Sequence, residues 1–114
     1  MMDNSAKFGS FAEFYAYYLA EHAHRRTRQL HFLGTSLVPL LILLAALTGL
    51  WWLCVLAVLQ AYLLAWIGHF YFEHNRPATF RHPWFSLLAD WRMWWDILRG
   101  HISLRAGADE VSLR

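Results

Sequence analysis

An uncharged run of 37 residues, from residue 32 to residue 68, dominates the pattern of apolar and polar positions along the chain. A helix of that length would be roughly 55 Å long, whereas the hydrocarbon core of a bilayer is about 30 Å thick. The run is therefore too long for one span, but it fits two spans joined by a tight turn at Thr48-Gly49. We predict a helical hairpin with spans at about 32–47 and 50–74. A hairpin buried inside a soluble helical protein is the alternative.

The segment before this run has the spacing of an amphipathic helix, predicted at about 10–24, with Ser10 as its N-cap. Its aromatic stripe includes His22, whereas His24 falls outside the stripe and is expected to meet water. His31 follows nine residues after His22, so on one straight helix the two side chains would point about 180° apart. The sequence therefore favours a bend in the basic segment 25–28. The alternative is that only one of the two histidines serves a site.

A further helix is predicted at about 83–99, because Pro83 suits a first helical turn and Gly100 a helix end. Four Trp side chains lie on its apolar stripe, and its charged residues lie elsewhere. This pattern is typical of a helix at the bilayer surface, although packing against protein would use the same stripe. The tail 101–114 shows no periodicity and is assigned no function. We predict one all-α membrane-embedded domain, 1–114: a two-span transmembrane hairpin flanked by N-terminal and C-terminal amphipathic helices.

The composition fits a chain that is partly surrounded by lipid. Hydrophobic residues make up 58% of the sequence and charged residues 16%, against roughly 45–50% and 25% in typical soluble domains. The net charge is +2, but the basic residues are scattered, so we expect no nucleic-acid partner. Arg residues flank the outer ends of both spans, and the turn between the spans has none. The positive-inside rule then predicts a multi-pass inner (cytoplasmic) membrane protein with both termini in the cytoplasm.

Three of the seven histidines, His22, His31 and His69, lie on the inward stripe or at the cytoplasmic ends of the predicted spans. Imidazole is the commonest metal ligand near neutral pH, and nitrogen and carboxylate donors with open positions suit Fe(II) or Zn(II). Glu73 shares a helical face with His69. Three roles are open to it: a metal ligand, an acceptor that fixes the His69 tautomer, or the partner of Arg76. The alternatives are histidines that only form hydrogen bonds, and a haem held by two histidines.

The most distinctive stretches are 18–22 with 28–35, then 66–70 with 72–80, and finally Pro83, Ser86-Leu87 and Asp90. In these stretches the chain resembles a family of small membrane proteins related to the yeast 2-hydroxy fatty acid dioxygenase, and in particular its bacterial branch, a domain of unknown function. The resemblance covers about residues 11–98. It implies an Fe(II)-dependent α-oxidation, in which a long-chain 2-hydroxy fatty acid reacts with oxygen and loses its carboxyl carbon.

The resemblance carries the metal ligands onto His22, His31 and His69, with Zn or another divalent metal as alternatives to Fe(II). It implies that the metal chelates the substrate carboxylate and 2-hydroxyl, and that the acyl chain lies along the apolar helices of a protein in the lipid bilayer. A homo-oligomer is compatible with the sequence. The alternative function is that of a non-enzymatic membrane protein with a structural, metal-binding or haem-binding histidine cluster. The remaining candidates are Glu73, Asn75, Arg76 and Asp90 for catalysis, and Arg28, Tyr18, Tyr62 and Trp66 for substrate binding.

Overall fold

The computed structural model describes residues 8–105, and these residues form an all-helical structure that confirms the predicted fold class. A π-helical turn, Gly68–Glu73, continues the third helix, and a short 3₁₀ turn, Ala78–Phe80, precedes the fourth. The predicted tail lies outside the described residues from residue 106 onward. The four α-helices are α1 (Phe11–Ala20), α2 (Arg25–Thr48), α3 (Trp52–Ile67) and α4 (Pro83–Leu98).

Helices α2 and α3 form the hairpin, with the turn at Gly49, whose φ of 76° lies in the left-handed region that glycine adopts without strain. The two segments Arg25–Thr48 and Trp52–Glu73 have mean hydropathies of 2.2 and 1.8 and are long and apolar enough to cross a membrane. Only 22% of the most apolar part of each segment is buried. The core helix of a soluble protein would be mostly buried, so the outward surface of this hairpin favours lipid surroundings.

Helix α2 begins at Arg25, seven residues before the predicted start of the span, and α1 ends at Ala20 rather than near 24. The reason lies in His24, whose Nδ1 accepts a hydrogen bond of 3.0 Å from the backbone N–H of Arg26 and caps α2. The predicted bend is therefore present, but it falls at residues 21–24, just before the basic segment. Because the chain turns there, residues on α1 and α2 can face the same site.

Helices α2 and α3 approach closely at the end that lies away from the Gly49 turn. A Cβ atom at Gly68 would lie 2.9 Å from Cγ2 of Thr27, which is closer than side chains pack. The Thr27 hydroxyl donates to the Gly68 carbonyl at 3.4 Å. Glycine at this position therefore brings the first turns of α2 against the end of α3, where His69 follows directly.

Helices α1 and α4 pack together beside this end of the hairpin. The buried core of this region contains Phe14, Tyr18, Ala89, Met93 and Ile97. The predicted apolar stripe of α4 faces away from this core, since its Trp and Leu side chains other than the half-buried Trp94 are exposed. Helix α4 thus uses small and flexible side chains to contact protein and presents its Trp-rich face outward, as expected for a helix at a bilayer surface.

Asp96, on the charged side of α4, is unexpectedly buried, with an exposed fraction of 6%. It accepts a hydrogen bond of 2.7 Å from the Tyr15 hydroxyl and forms ion pairs with Arg92 and Arg99. Burial alone would raise the pKa of this carboxyl, but the hydrogen bonds from Tyr15 and Arg99 and the charge of Arg92 outweigh it and lower the pKa. Asp96 therefore holds α1 against α4 as a charged group.

Candidate functional site

Three histidines that are far apart in the sequence meet at the end of the hairpin opposite the Gly49 turn. His22 follows α1, His31 lies in the second turn of α2, and His69 lies in the π-helical turn. The ring centroid of His22 is 4.4 Å from that of His69 and 5.4 Å from that of His31. All three side chains are buried. The structure thus brings together the three histidines that the sequence selected.

Hydrogen bonds determine which nitrogen of His22 and His69 carries the proton. Nδ1 of His22 lies 2.8 Å from the backbone oxygen of Tyr18, and Nδ1 of His69 lies 2.7 Å from Oδ1 of Asn75. The Asn75 amide is oriented by its nitrogen, which donates to the Glu21 carbonyl at 3.2 Å. Because both partners accept, each Nδ1 is the donor, and Nε2 of the neutral ring is left unprotonated. Among the described residues, both rings form their hydrogen bonds through Nδ1.

The surroundings of His22 favour this neutral form. Burial lowers the pKa of the imidazole well below its ordinary value, and the neighbouring His69 and His31 lower it further. A neutral imidazole with an unprotonated Nε2 is the form that binds a metal ion.

His31 differs from the other two because Asp90, on α4, holds its Nε2 atom. Oδ1 of Asp90 lies 2.9 Å from Nε2 of His31 and accepts a second hydrogen bond, of 2.6 Å, from the Tyr18 hydroxyl. A carboxylate only accepts, so Nε2 of His31 is the donor, and its Nδ1 faces the Thr35 hydroxyl at 3.3 Å. The Tyr18 ring also stacks on His22, with the centroids 4.1 Å apart. The Tyr18 hydroxyl also lies 3.0 Å from Nε2 of His31, so Tyr18 links α1 to α2 and α4.

A cavity of about 190 Å³ extends from the histidines into the helical bundle. Four of its lining side chains, Tyr62, Trp66, Leu87 and Trp91, are also 37–44% exposed. The cavity therefore opens sideways between α3 and α4, on the apolar surface of the protein. The polar end of the cavity contains Tyr18, His22, His31, Thr35, His69, Ser86 and Asp90.

Four of the predicted site residues lie outside this lining. Asn75 contacts the site through His69, and Arg28 is buried near the start of α2. Arg76 is exposed. The carboxylate of Glu73 accepts a hydrogen bond of 2.6 Å from the backbone N–H of His24. The predicted residues that do line the cavity are Tyr18, His22, His31, Tyr62, Trp66, His69 and Asp90.

At Glu73 the structure departs from the prediction, and the chain is not α-helical there. The predicted span ran as one helix to about residue 74, whereas α3 ends at Ile67 and a π-helical turn follows. His74 ends this turn in the left-handed conformation, with a φ of 59°, and the backbone N–H of Asn75 donates to the His69 carbonyl at 2.9 Å. The prediction of a continuous α-helix was wrong at this point, and Asn75 makes the contact with His69 that the sequence offered to Glu73.

Comparison with known proteins identifies the family. A family model described as 2-hydroxy-palmitic acid dioxygenase Mpo1-like matches residues 8–102, a range that includes all four helices and the three buried histidines. The chain belongs to the Mpo1-like family. No curated protein and no solved structure matches it. The Mpo1-like match confirms the resemblance that the sequence showed.

The site of this Mpo1-like protein fits a divalent metal ion by the type of its donor atoms. His22 and His69 present unprotonated Nε2 atoms, and His31 and Asp90 add a nitrogen and a carboxylate, a set that suits Fe(II). In the positions shown, no group of three or more His, Cys, Asp or Glu side chains among the described residues is arranged to hold a metal ion. Ligation through Nε2 of His31 would require this histidine to exchange its hydrogen bond with Asp90.

Proposed function

We propose that this protein is an Fe(II)-dependent dioxygenase that shortens a long-chain 2-hydroxy fatty acid by one carbon. The observation that carries the proposal is a cavity whose polar end holds two neutral, buried imidazoles with unprotonated Nε2 atoms and whose mouth opens on an apolar surface. This arrangement suits a substrate with a polar, chelating head and a long apolar chain. The family name, 2-hydroxy-palmitic acid dioxygenase Mpo1-like, agrees with that substrate class.

In the proposed reaction the bond between the carboxyl carbon and the 2-carbon breaks. The 2-hydroxy acid and one O₂ give a fatty acid one carbon shorter, CO₂ and water. The substrate provides all four electrons that reduce O₂, so the reaction needs no other reductant. His22, His31 and His69 would hold the ferrous ion, which supplies a binding place for O₂ and for the two substrate oxygens.

The remaining residues of the site would orient these groups. Asn75 fixes the ring of His69, and the Tyr18–Asp90 pair fixes His31. Of the two candidate guanidinium groups, neither of which lines the cavity, only Arg28 is buried, with an exposed fraction of 3%, and its charge acts on His22. Arg28, rather than the exposed Arg76, would therefore attract the substrate carboxylate through its charge.

The acyl chain would leave the cavity through the mouth between Trp66 on α3 and Trp91 on α4. The cavity of about 190 Å³ is smaller than the roughly 300–1,000 Å³ of pockets that enclose drug-sized ligands. It would therefore hold the head and the first part of the chain, while the rest lies in lipid. This requires the histidines to lie near one membrane surface, and the flanking Arg residues favour the cytoplasmic surface of the inner membrane, with both termini in the cytoplasm.

The direct test is turnover by the purified protein. In detergent, with Fe(II) and O₂, 2-hydroxyhexadecanoic acid should give pentadecanoic acid, measured by mass spectrometry of the fatty acids. A heat-denatured sample with the same iron is the control for iron chemistry in solution. Absence of the shorter acid across several chain lengths, with iron bound, would favour the non-enzymatic alternative instead.

The contact between Asn75 and His69 leads to a separate prediction. Replacing Asn75 with Ala removes the acceptor that keeps the proton on Nδ1 of His69. Loss of such a partner typically lowers metal affinity about 10–100-fold, so Asn75→Ala should weaken iron binding by that factor in a competition with a chelator. Glu73→Gln is the matched control, since its side-chain oxygen still accepts from His24 N–H, and its affinity should not change. A Glu73→Gln loss as large as that of Asn75→Ala would contradict the assignment.

A further inference from the structure

Ser86 has a buried hydroxyl to which the proposed reaction assigns no role. It lies on α4 and is 1% exposed, and its hydroxyl has no hydrogen-bond partner among the described residues. A serine within a helix commonly bonds to the carbonyl four residues before it, but this hydroxyl does not. A buried polar group without a partner costs free energy, and native proteins keep few of them.

The location of Ser86 indicates what the missing partner is. Its side chain lines the polar end of the cavity together with the three histidines. Asp90 follows four residues later, so both side chains lie on the same face of α4. Asp90 is already engaged with Tyr18 and His31, and it carries a negative charge that would repel a carboxylate. Ser86 adds to this end of the cavity a neutral hydroxyl that is able to donate.

We propose that Ser86 is a ligand-binding residue whose hydroxyl donates a hydrogen bond to an oxygen atom of the ligand's head group, either the carboxylate or the 2-hydroxyl. This inference rests on the proposed function for the class of ligand, a 2-hydroxy fatty acid. It adds a positioning contact from α4 to those that the histidines of α2 and of the π-helical turn would provide. The unpaired hydroxyl is then a cost in the free protein that ligand binding removes.

The test compares Ser86→Ala with the wild-type protein in detergent, isolated with its metal and kept free of oxygen so that the ligand is not consumed. The probe is 2-hydroxyhexadecanoic acid, and binding is followed by the fluorescence of the Trp residues, two of which line the cavity. A hydrogen bond to a charged or strongly polar group corresponds to about a tenfold to hundredfold loss of affinity. The melting temperature of Ser86→Ala should stay equal or rise, because the substitution removes an unpaired polar group and improves helix propensity.

Ser36→Ala is the matched control. The Ser36 hydroxyl accepts a hydrogen bond of 2.8 Å from Nε1 of Trp94 and lies outside the cavity lining. This variant should show the opposite pattern, with a lower melting temperature and unchanged affinity. Hexadecanoic acid identifies the oxygen: a loss for both acids assigns the hydrogen bond to the carboxylate, and a loss for the 2-hydroxy acid alone assigns it to the 2-hydroxyl.

Equal affinity of Ser86→Ala and wild type for 2-hydroxyhexadecanoic acid would overturn the role of Ser86 and leave the proposed reaction intact. Binding that depends on Ser86 without any turnover in air would support Ser86 and contradict the reaction. Failure of the wild-type protein to bind the acid would overturn the ligand class, and with it both proposals.

Discussion

Alanine in place of His22, His31 or His69 should remove most of the iron that the protein binds. Each ring supplies one of the three proposed ligands, and the two imidazoles that remain do not complete the coordination shell of Fe(II) or Zn(II). The His22 ring lies close to those of His69 and His31, and all three are buried, so no water-exposed group can easily replace a missing ring. The measurement is the iron content of purified protein by elemental analysis, with helicity by circular dichroism to show that each variant still folds.

Two other histidines provide controls for this experiment. His101 is exposed beyond the end of α4, and His101→Ala should keep its iron. His24 is exposed and caps α2, so His24→Ala should lose about 1 kcal/mol of stability and keep its iron as well. Loss of iron from His24→Ala together with full iron in His22→Ala would show that the wrong histidine of this pair had been selected.

Replacing Asp90 with Ala should lower the free energy of unfolding by about 1–3 kcal/mol. Asp90 accepts hydrogen bonds from the Tyr18 hydroxyl and from His31 Nε2, and a buried donor left without an acceptor costs about 1–3 kcal/mol. In the variant, His31 Nε2 can still donate to the Tyr18 oxygen, 3.0 Å away, so one donor rather than two loses its acceptor. The Asp90 side chain is 23% exposed, so water can replace part of what is lost. Unfolding in mixed micelles with increasing denaturing detergent measures the change.

Leu88→Ala is the control for this substitution, because Leu88 lies on the same helix and is 59% exposed. In the micelle it should change the free energy of unfolding by no more than about 0.5 kcal/mol. Asp90→Asn should fall between Asp90→Ala and the wild type, since the amide oxygen accepts a hydrogen bond but carries no charge. If Asp90→Ala is as stable as Leu88→Ala, the Tyr18–Asp90–His31 contacts do not hold α4 against α1 and α2.

The sequence predicted the parts of the fold that depend on local periodicity. Spacing along α1 separated the buried His22 from the exposed His24, although the two are only two residues apart. The length of the uncharged run predicted a hairpin, and Thr48-Gly49 marked its turn. The start of α2 was placed too late because the prediction stopped at the last charge, whereas charged residues also fit the first turn of a helix that His24 caps.

The features that the sequence did not reveal depend on contacts between distant segments. The π-helical turn and the left-handed His74 that ends it are not signalled by the apolar pattern, and they bring Asn75 rather than Glu73 into contact with the His69 ring. Asp96 lay among the charges of an amphipathic helix, and only the fold brings it to Tyr15, 81 residues earlier. The unpaired hydroxyl of Ser86 likewise becomes apparent only when the cavity is known.

The fate of the substrate carboxyl carbon tests the proposed reaction most directly. The purified, iron-containing protein is given 2-hydroxyhexadecanoic acid labelled with ¹³C at the carboxyl group, and the acid products and the released gas are analysed by mass spectrometry. The proposal predicts unlabelled pentadecanoic acid and an equal amount of ¹³CO₂, with one O₂ consumed for each. A product that retains the label, or no shorter acid from protein that demonstrably contains iron, would contradict it.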